Sequence, residues 1–79
     1  MAEHTYVVRA TWDDEAKVWV AESDDVPGLV AEAREVDTLI EKLRVLIPEL
    51  LEANGVLRKN GHHKVVLPFE LRAQYQVSA

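Results

Sequence analysis

One amphipathic stripe constrains the fold of this chain more than any other feature of its sequence. Thr38 and Glu41 have the spacing of a capping box, and Asn54-Gly55 is a typical helix stop. Pro48 lies inside the stripe and predicts a kink, or a helix in two parts. Between these signals, apolar residues recur at intervals that put them on one face of an α-helix: Leu39, Ile40, Leu43, Leu46, Ile47, Leu50 and Leu51.

Strand patterns flank this helix on both sides. Residues 6–12 and 17–22 alternate in polarity around a polar turn, which predicts a hairpin. Pro27-Gly28 then interrupts the chain before a short third strand at residues 29–33. After the helix, every odd position from 65 to 77 is apolar, which predicts a long fourth strand.

The order β-β-β-α-β predicts an α+β domain spanning residues 1–79. A right-handed crossover places the last strand parallel to the first, in a mixed four-stranded sheet of order 3-2-1-4 with one helix on one face. Pro68 favours an edge position for the last strand, or a bulge at that point. We expect that strand to outreach its neighbours, with little in the chain to pack against its far end, and so to form a homodimer through an overhanging edge. The predicted dimer residues are Phe69, Leu71, Tyr75 and Val77.

The charge distribution limits the class of partner. The chain has 9 basic and 14 acidic residues and a formal net charge of −5, which argues against binding nucleic acid by neutralising phosphates. Residues 1–37 carry a net charge of −7 and residues 38–79 carry +2. The acidic half attracts a basic partner, or its acids simply populate turns and exposed edges. The chain has no cysteine and no apolar run long enough for a membrane span, and we expect a cytoplasmic protein.

No cluster of residues in the sequence makes a convincing reaction centre. The acids Asp13, Asp14, Glu22, Asp24 and Asp25 are interpreted as solvated turn residues rather than metal ligands. The histidines do not converge in any ligand pattern, and no phosphate-binding loop is present. We therefore expect no enzymatic activity, no metal and no cofactor. Trp12 and Trp19 are either both in the core, or one of them lies on the open sheet face and anchors a partner.

The order of these elements resembles the HicB-like antitoxin superfamily, in particular a one-domain branch of unknown function. The residues that carry the resemblance are the hairpin, the turn Asp25-Val26-Pro27-Gly28, the short strand after it, and a capped helix containing residues 47–51. It covers roughly residues 5–55. The resemblance implies a partial ribonuclease H-like fold without its catalytic acids, self-association, and the masking of a small basic RNA-cleaving toxin of the HicA type.

Two departures limit what the resemblance implies. Members that bind DNA carry a further segment after the last strand, whereas this chain stops at Ala79, so we expect no nucleic-acid binding by the protein itself. Leu29 follows the turn where the family often has a small residue or cysteine. Asp25, Pro27 and Gly28 are therefore interpreted chiefly as turn-formers.

The predicted function is that of a non-enzymatic protein-interaction module, antitoxin-like, that binds and masks a small basic HicA-type toxin. Trp19, Asp24 and Asp25 are its predicted partner-binding residues. The alternative is a stand-alone oligomeric scaffold, or a small-ligand regulatory domain, without a toxin partner. A metal-dependent nuclease relic is a weaker third hypothesis.

Overall fold

A computed structural model of the chain describes residues 5–56 and 67–75. Four strands form one mixed sheet of order β3-β2-β1-β4. β1 pairs antiparallel with β2 and parallel with β4, and β2 pairs antiparallel with β3. The predicted α+β fold, element order and strand order are confirmed. The elements are β1 (Tyr6–Asp13), β2 (Val18–Glu22), β3 (Val30–Ala33), α1 (Val36–Ala53) and β4 (Phe69–Gln74).

The core lies between α1 and one face of the sheet, and a row of alanines sets its thickness. Ala73, Ala10, Ala21 and Ala31 are neighbours in register across all four strands. Small side chains let a helix come close to a sheet, and α1 packs over β2 and β3. The helix contributes its buried side chains one turn apart: Leu39, Leu43, Ile47 and Leu51.

Both ends of α1 are set by its backbone bonds. The predicted capping box at Thr38 is wrong, because the helix begins at Val36 and its cap residue Glu35 makes no side-chain capping bond. The N–H of Leu39 already donates to the carbonyl of Glu35 at 3.0 Å, so Thr38 lies inside the first turn. The predicted stop is found: Gly55 has φ +74, and the bonds Gly55 N to Glu52 O and Val56 N to Leu51 O form a Schellman motif.

Pro48 does not divide the helix. α1 runs unbroken from Val36–Ala53 with Pro48 inside it, so the alternative of a helix in two parts is wrong. Proline removes one N–H donor, and the carbonyl of Arg44 has no partner four residues ahead. Ile47 and Leu51 are buried on either side of the proline. Their packing against the sheet holds the helix together across the missing bond.

The last strand is shorter than its sequence pattern predicts. β4 covers Phe69–Gln74, and all six of its residues lie opposite β1, so the described part of the strand does not outreach its neighbour. Positions 65, 66 and 76–79, including Val77, lie outside the described residues. Pro68 precedes the strand, and its carbonyl accepts a hydrogen bond from the N–H of Tyr6 at 3.1 Å. β4 is an edge strand of the sheet, as predicted.

Candidate functional site on the open face of the sheet

The sheet face opposite α1 is uncovered by any other described element and carries mostly acidic and β-branched side chains. Because side chains alternate along a strand, residues paired in register share a face. Val7, Val18 and Val20 are half-buried there, and Val30 is 73% exposed. Five carboxylates and two guanidinium groups give the face a net charge of −3; they belong to Asp13, Glu22, Asp24, Glu32, Glu70, Arg9 and Arg72.

Arg9 links two of these carboxylates. Its guanidinium donates to Asp24 at 3.0 Å and lies 3.5 Å from Glu22. The hydrogen bond with Asp24, and then its negative charge, raise the pKa of Arg9 above its ordinary value. All three side chains are exposed, and such pairs orient side chains more than they stabilise a fold. Arg72 sits beside Arg9 in register and pairs with Glu70 of its own strand.

The predicted partner-binding acid Asp25 is engaged by the backbone of β1. Its carboxylate accepts the N–H of Val7 at 2.7 Å, while the hydroxyl of Ser23 donates to the carbonyl of Val7 at 2.5 Å. Ser23 Oγ also accepts the N–H of Asp25 at 3.0 Å. The β1–β2 ladder stops at the pair of Arg9 and Glu22, and these side chains bond the backbone of β1 two positions beyond it. We call this arrangement the Val7 clasp.

The turn that follows the clasp joins the sheet to the end of the helix. Leu29 N–H donates to Val26 O at 3.1 Å, and Gly28, with φ +82, follows Pro27, which are the features of a type II turn. The amide of Asn54 donates to the carbonyl of Pro27 at 3.2 Å. Val26 is fully buried between these segments. Pro27 and Gly28 therefore shape the backbone rather than offer a binding group.

Trp12 and Trp19 both lie on the helix side of the sheet, which decides a question that the sequence leaves open. They are opposite each other in the hairpin, with ring centroids 5.4 Å apart. Tyr75 stacks on Trp12 with a centroid distance of 5.8 Å and an interplanar angle of 14°. The expectation that Tyr75 has little in the chain to pack against is therefore wrong. Trp12, Trp19 and Tyr75 form an aromatic row on the helix side of the sheet. Trp19 therefore cannot anchor a partner on the open face.

The turn of the hairpin borders this aromatic row. Lys17 Nζ lies 2.9 Å from Asp14, and the indole N–H of Trp12 points to the same carboxylate at 3.4 Å. The hydrogen bond from Lys17, followed by that from Trp12, lowers the pKa of Asp14; the same contact raises the pKa of Lys17. Lys17 has φ +59, a left-handed conformation that non-glycine residues seldom adopt.

The three predicted partner-binding residues do not form one surface. Trp19 and Asp24 are five residues apart, which corresponds to a separation of roughly 17 Å between their Cα atoms at the rise of a strand. Trp19 also faces the helix. Asp24 borders the open face through Arg9, whereas Asp25 is held in the Val7 clasp. The structure instead brings Val20, Val30 and the strand-borne carboxylates together. The sequence signal for this arrangement is the length of the hairpin turn. A turn of four residues pairs Asp13 with Val18, and that pairing puts Val20 and Glu22 on the open face.

In the described part of the chain there is no cluster of metal ligands, and the larger surface depressions, of 410–480 Å³, are open to solvent. Within residues 5–56 and 67–75, no three His, Cys, Asp or Glu side chains are grouped to hold a metal ion. A groove between α1 and the start of β4, lined by Leu43, Arg44, Ile47, Pro48, Leu67 and Phe69, has a volume of 170 Å³. Pockets for drug-sized ligands usually span about 300–1,000 Å³. The groove is too small to enclose such a ligand.

In the part of the chain that the structure describes, there is no helix that could span a lipid bilayer.

Comparisons with known proteins identify relatives without a described activity. A family model described as "Domain of unknown function (DUF1902)" matches residues 5–78. The crystal structure of hypothetical protein TTHA1013, from the extremely thermophilic bacterium Thermus thermophilus, is similar, with 50% sequence identity and a TM-score of 0.70. The match covers 96% of this chain and 97% of that one. No curated protein matches the chain.

Proposed function

This chain belongs to the DUF1902 family, and we propose that it is a non-enzymatic protein-binding module that masks a small basic partner, in the manner of HicB-like antitoxins. The partner that we propose is an RNA-cleaving toxin of the HicA type. The resemblance of the hairpin, the Pro27-Gly28 turn and the helix to HicB-like proteins supports this choice of partner.

The single observation that carries the proposal is the open sheet face. It combines an exposed apolar residue, Val30, with carboxylates on neighbouring strands such as Glu22 and Glu32. Complementary charge speeds the encounter of two proteins and sets their orientation, while apolar contacts at the centre supply affinity. A face with a net charge of −3 fits a basic surface and repels the phosphates of free RNA.

The contacts of the acids favour binding over catalysis. Asp24 and Glu22 pair with Arg9, and Asp25 accepts a backbone N–H. A general acid or base needs a carboxylate placed in a cleft with a perturbed pKa. On this face Glu22, Asp24 and Glu70 lie against arginines, and Asp13 accepts N–H bonds from its own turn.

The alternative function is an oligomeric scaffold or small-ligand regulator without a toxin partner. The groove between α1 and β4 is small, and the larger depressions are open to solvent, which does not favour a role in enclosing a small ligand. The outer edge of β4 is compatible with either a scaffold or an antitoxin. The two functions differ in what the open face contacts.

Binding to a purified basic partner tests the proposal. The partner is to be sought as a small basic ribonuclease encoded beside this protein or copurifying with it, and its affinity measured by calorimetry together with inhibition of RNA cleavage. Glu32→Lys on the open face is expected to weaken binding about tenfold. Glu49→Lys, an equal change of charge on the exposed side of α1, is the matched control.

The outcomes separate the two functions. Loss of binding and of inhibition with Glu32→Lys, but not with Glu49→Lys, supports the antitoxin function. Equal effects from both variants contradict a role for the open face. If no basic ribonuclease is inhibited by the protein, the antitoxin function is wrong and the scaffold is favoured.

A further inference from the structure

The outer edge of β4, which borders the open face, has a self-complementary pattern. In a parallel ladder, alternate residues direct both backbone groups to the neighbouring strand. Tyr6 N–H bonds Pro68 O, so Pro68, Glu70, Arg72 and Gln74 direct their backbone groups to β1. Phe69, Leu71 and Ala73 direct theirs outward. No described strand pairs with that side of β4.

The position of proline leaves this edge intact. Pro68 occupies a place whose N–H would point toward β1, so its missing donor does not interrupt the outward row. Every residue of the outward row has an N–H to donate. Natural proteins keep an edge strand single with a short strand, charged side chains, an outward proline, a bulge or an inward-pointing charge, and the charges of β4, Glu70 and Arg72, lie at the positions whose backbone faces β1. The described β4 shows none of these at its outward positions.

We propose that two copies of this chain join by antiparallel pairing of their β4 strands about a two-fold axis at Leu71, forming one continuous eight-stranded sheet. In this register Leu71 faces its own copy, and Phe69 faces Ala73 of the second copy. About six backbone hydrogen bonds form, two at each outward pair. On the helix side, the half-buried ring of Phe69 meets the exposed small side chain of Ala73.

Charge on the open face selects this register over its neighbours. Glu70 and Arg72 are exposed on the same face of β4 and pair with each other. With the axis at Leu71, Glu70 lies opposite Arg72 of the second copy, and the four charges alternate. An axis moved by one residue in either direction places Glu70 opposite Glu70, or Arg72 opposite Arg72. Like charges directly opposite each other are destabilising.

A charge-exchange experiment tests both the dimer and its register. The molecular mass of the protein is measured by sedimentation and light scattering over a range of concentrations, for the wild type, Glu70→Arg, Arg72→Glu and the double variant. The wild type is expected to be a dimer. Each single variant puts like charges opposite each other and is expected to raise the dissociation constant about tenfold. The double variant restores alternation and dimerises as the wild type does.

Mixing the Glu70→Arg and Arg72→Glu variants is the most discriminating test of the register. In a mixed pair, the two arginines of the Glu70→Arg chain lie opposite the two glutamates of the Arg72→Glu chain, so the heterodimer is expected to be tighter than the homodimer of either variant. Native mass spectrometry reports it directly. A wild type that stays monomeric at millimolar concentration contradicts the proposal. So does a dimer that is indifferent to the single variants, or a mixture that forms no heterodimer.

A backbone variant checks the same edge without charge. Ala73→Pro removes an outward donor from each copy and no bond to β1, so it is expected to weaken the dimer while circular dichroism shows an unchanged fold. Ala73→Ser keeps the N–H and is the matched control. A dimer of Ala73→Pro as tight as that of Ala73→Ser would contradict pairing through this edge.

Discussion

The carboxylate of Asp25 accepts a hydrogen bond from the backbone N–H of Val7 at 2.7 Å and joins residues 18 positions apart. With Ser23 bonded to the carbonyl of the same residue, both polar backbone groups of Val7 are satisfied by side chains. This clasp holds the loop before the Pro27-Gly28 turn against β1. An acid that the sequence suggests for partner binding is thus part of the framework.

Replacing Asp25 is expected to destabilise the fold. Asp25→Ala removes a hydrogen bond to a charged acceptor and is expected to lower the free energy of unfolding by about 1–3 kcal/mol. Asp24→Ala, which removes an exposed pair with Arg9, is expected to cost less than about 1 kcal/mol. Urea denaturation of both variants measures the difference. Equal losses would contradict the Val7 clasp.

Gly28→Ala is expected to be destabilising through its backbone and not through a clash. Gly28 has φ +82, and an added Cβ would lie 3.7 Å from Leu50 Cδ2, an ordinary contact. The left-handed conformation costs a non-glycine residue roughly 1–2 kcal/mol. Gly55→Ala, with φ +74 and open space around its Cβ, is the matched control and is expected to lose a similar amount. A much larger loss at Gly28, measured by thermal unfolding, would indicate a steric cause.

Ala21→Leu is expected to disturb the packing of the helix on the sheet. Ala21 is fully buried in the alanine row beneath α1. Overpacking such a site typically costs about 1–3 kcal/mol. Val20→Leu, on the open face next to it, is expected to change stability by no more than about 0.5 kcal/mol. Denaturant midpoints compare the two, and a neutral Ala21→Leu would mean that α1 does not need the small side chain.

Asp14 is expected to titrate below the ordinary carboxyl value of 3.8, because Lys17 and then Trp12 donate to its ionised form. A pKa that is lower in the folded state contributes stability above the unfolded pKa, and this contribution is lost as pH falls through the folded pKa. Lys17→Gly is expected to raise the pKa of Asp14, measured by NMR titration. Glycine accepts the φ of +59 at this position without strain.

Trp12→Phe is the companion variant in that titration. It removes the weaker of the two donors and is expected to raise the pKa of Asp14 by less than Lys17→Gly does. An Asp14 pKa that is unmoved by Lys17→Gly would contradict the contact between Asp14 and Lys17 in solution.

Local patterns in the sequence were sufficient to predict each element and the sheet order. The stripe from Leu39 to Leu51 is helical in the structure, and the glycine stop is found at its predicted place. The predicted start of the helix is wrong because Thr38 has a capping pattern in sequence, whereas α1 begins at Val36, three positions after the end of β3. A side-chain pattern identifies a residue suited to a cap, but the path of the chain decides which residue occupies it.

The sequence by itself determined the periodicities, and with them the elements and their apolar faces, because these depend on neighbours within a few positions. The tertiary structure alone decided the partners of side chains far apart in the chain. It joined Asp25 to Val7 and stacked Tyr75 on Trp12. Such contacts depend on strand register, and a shift of one residue reverses every face. The physical reason is that the register is fixed by packing across the whole sheet.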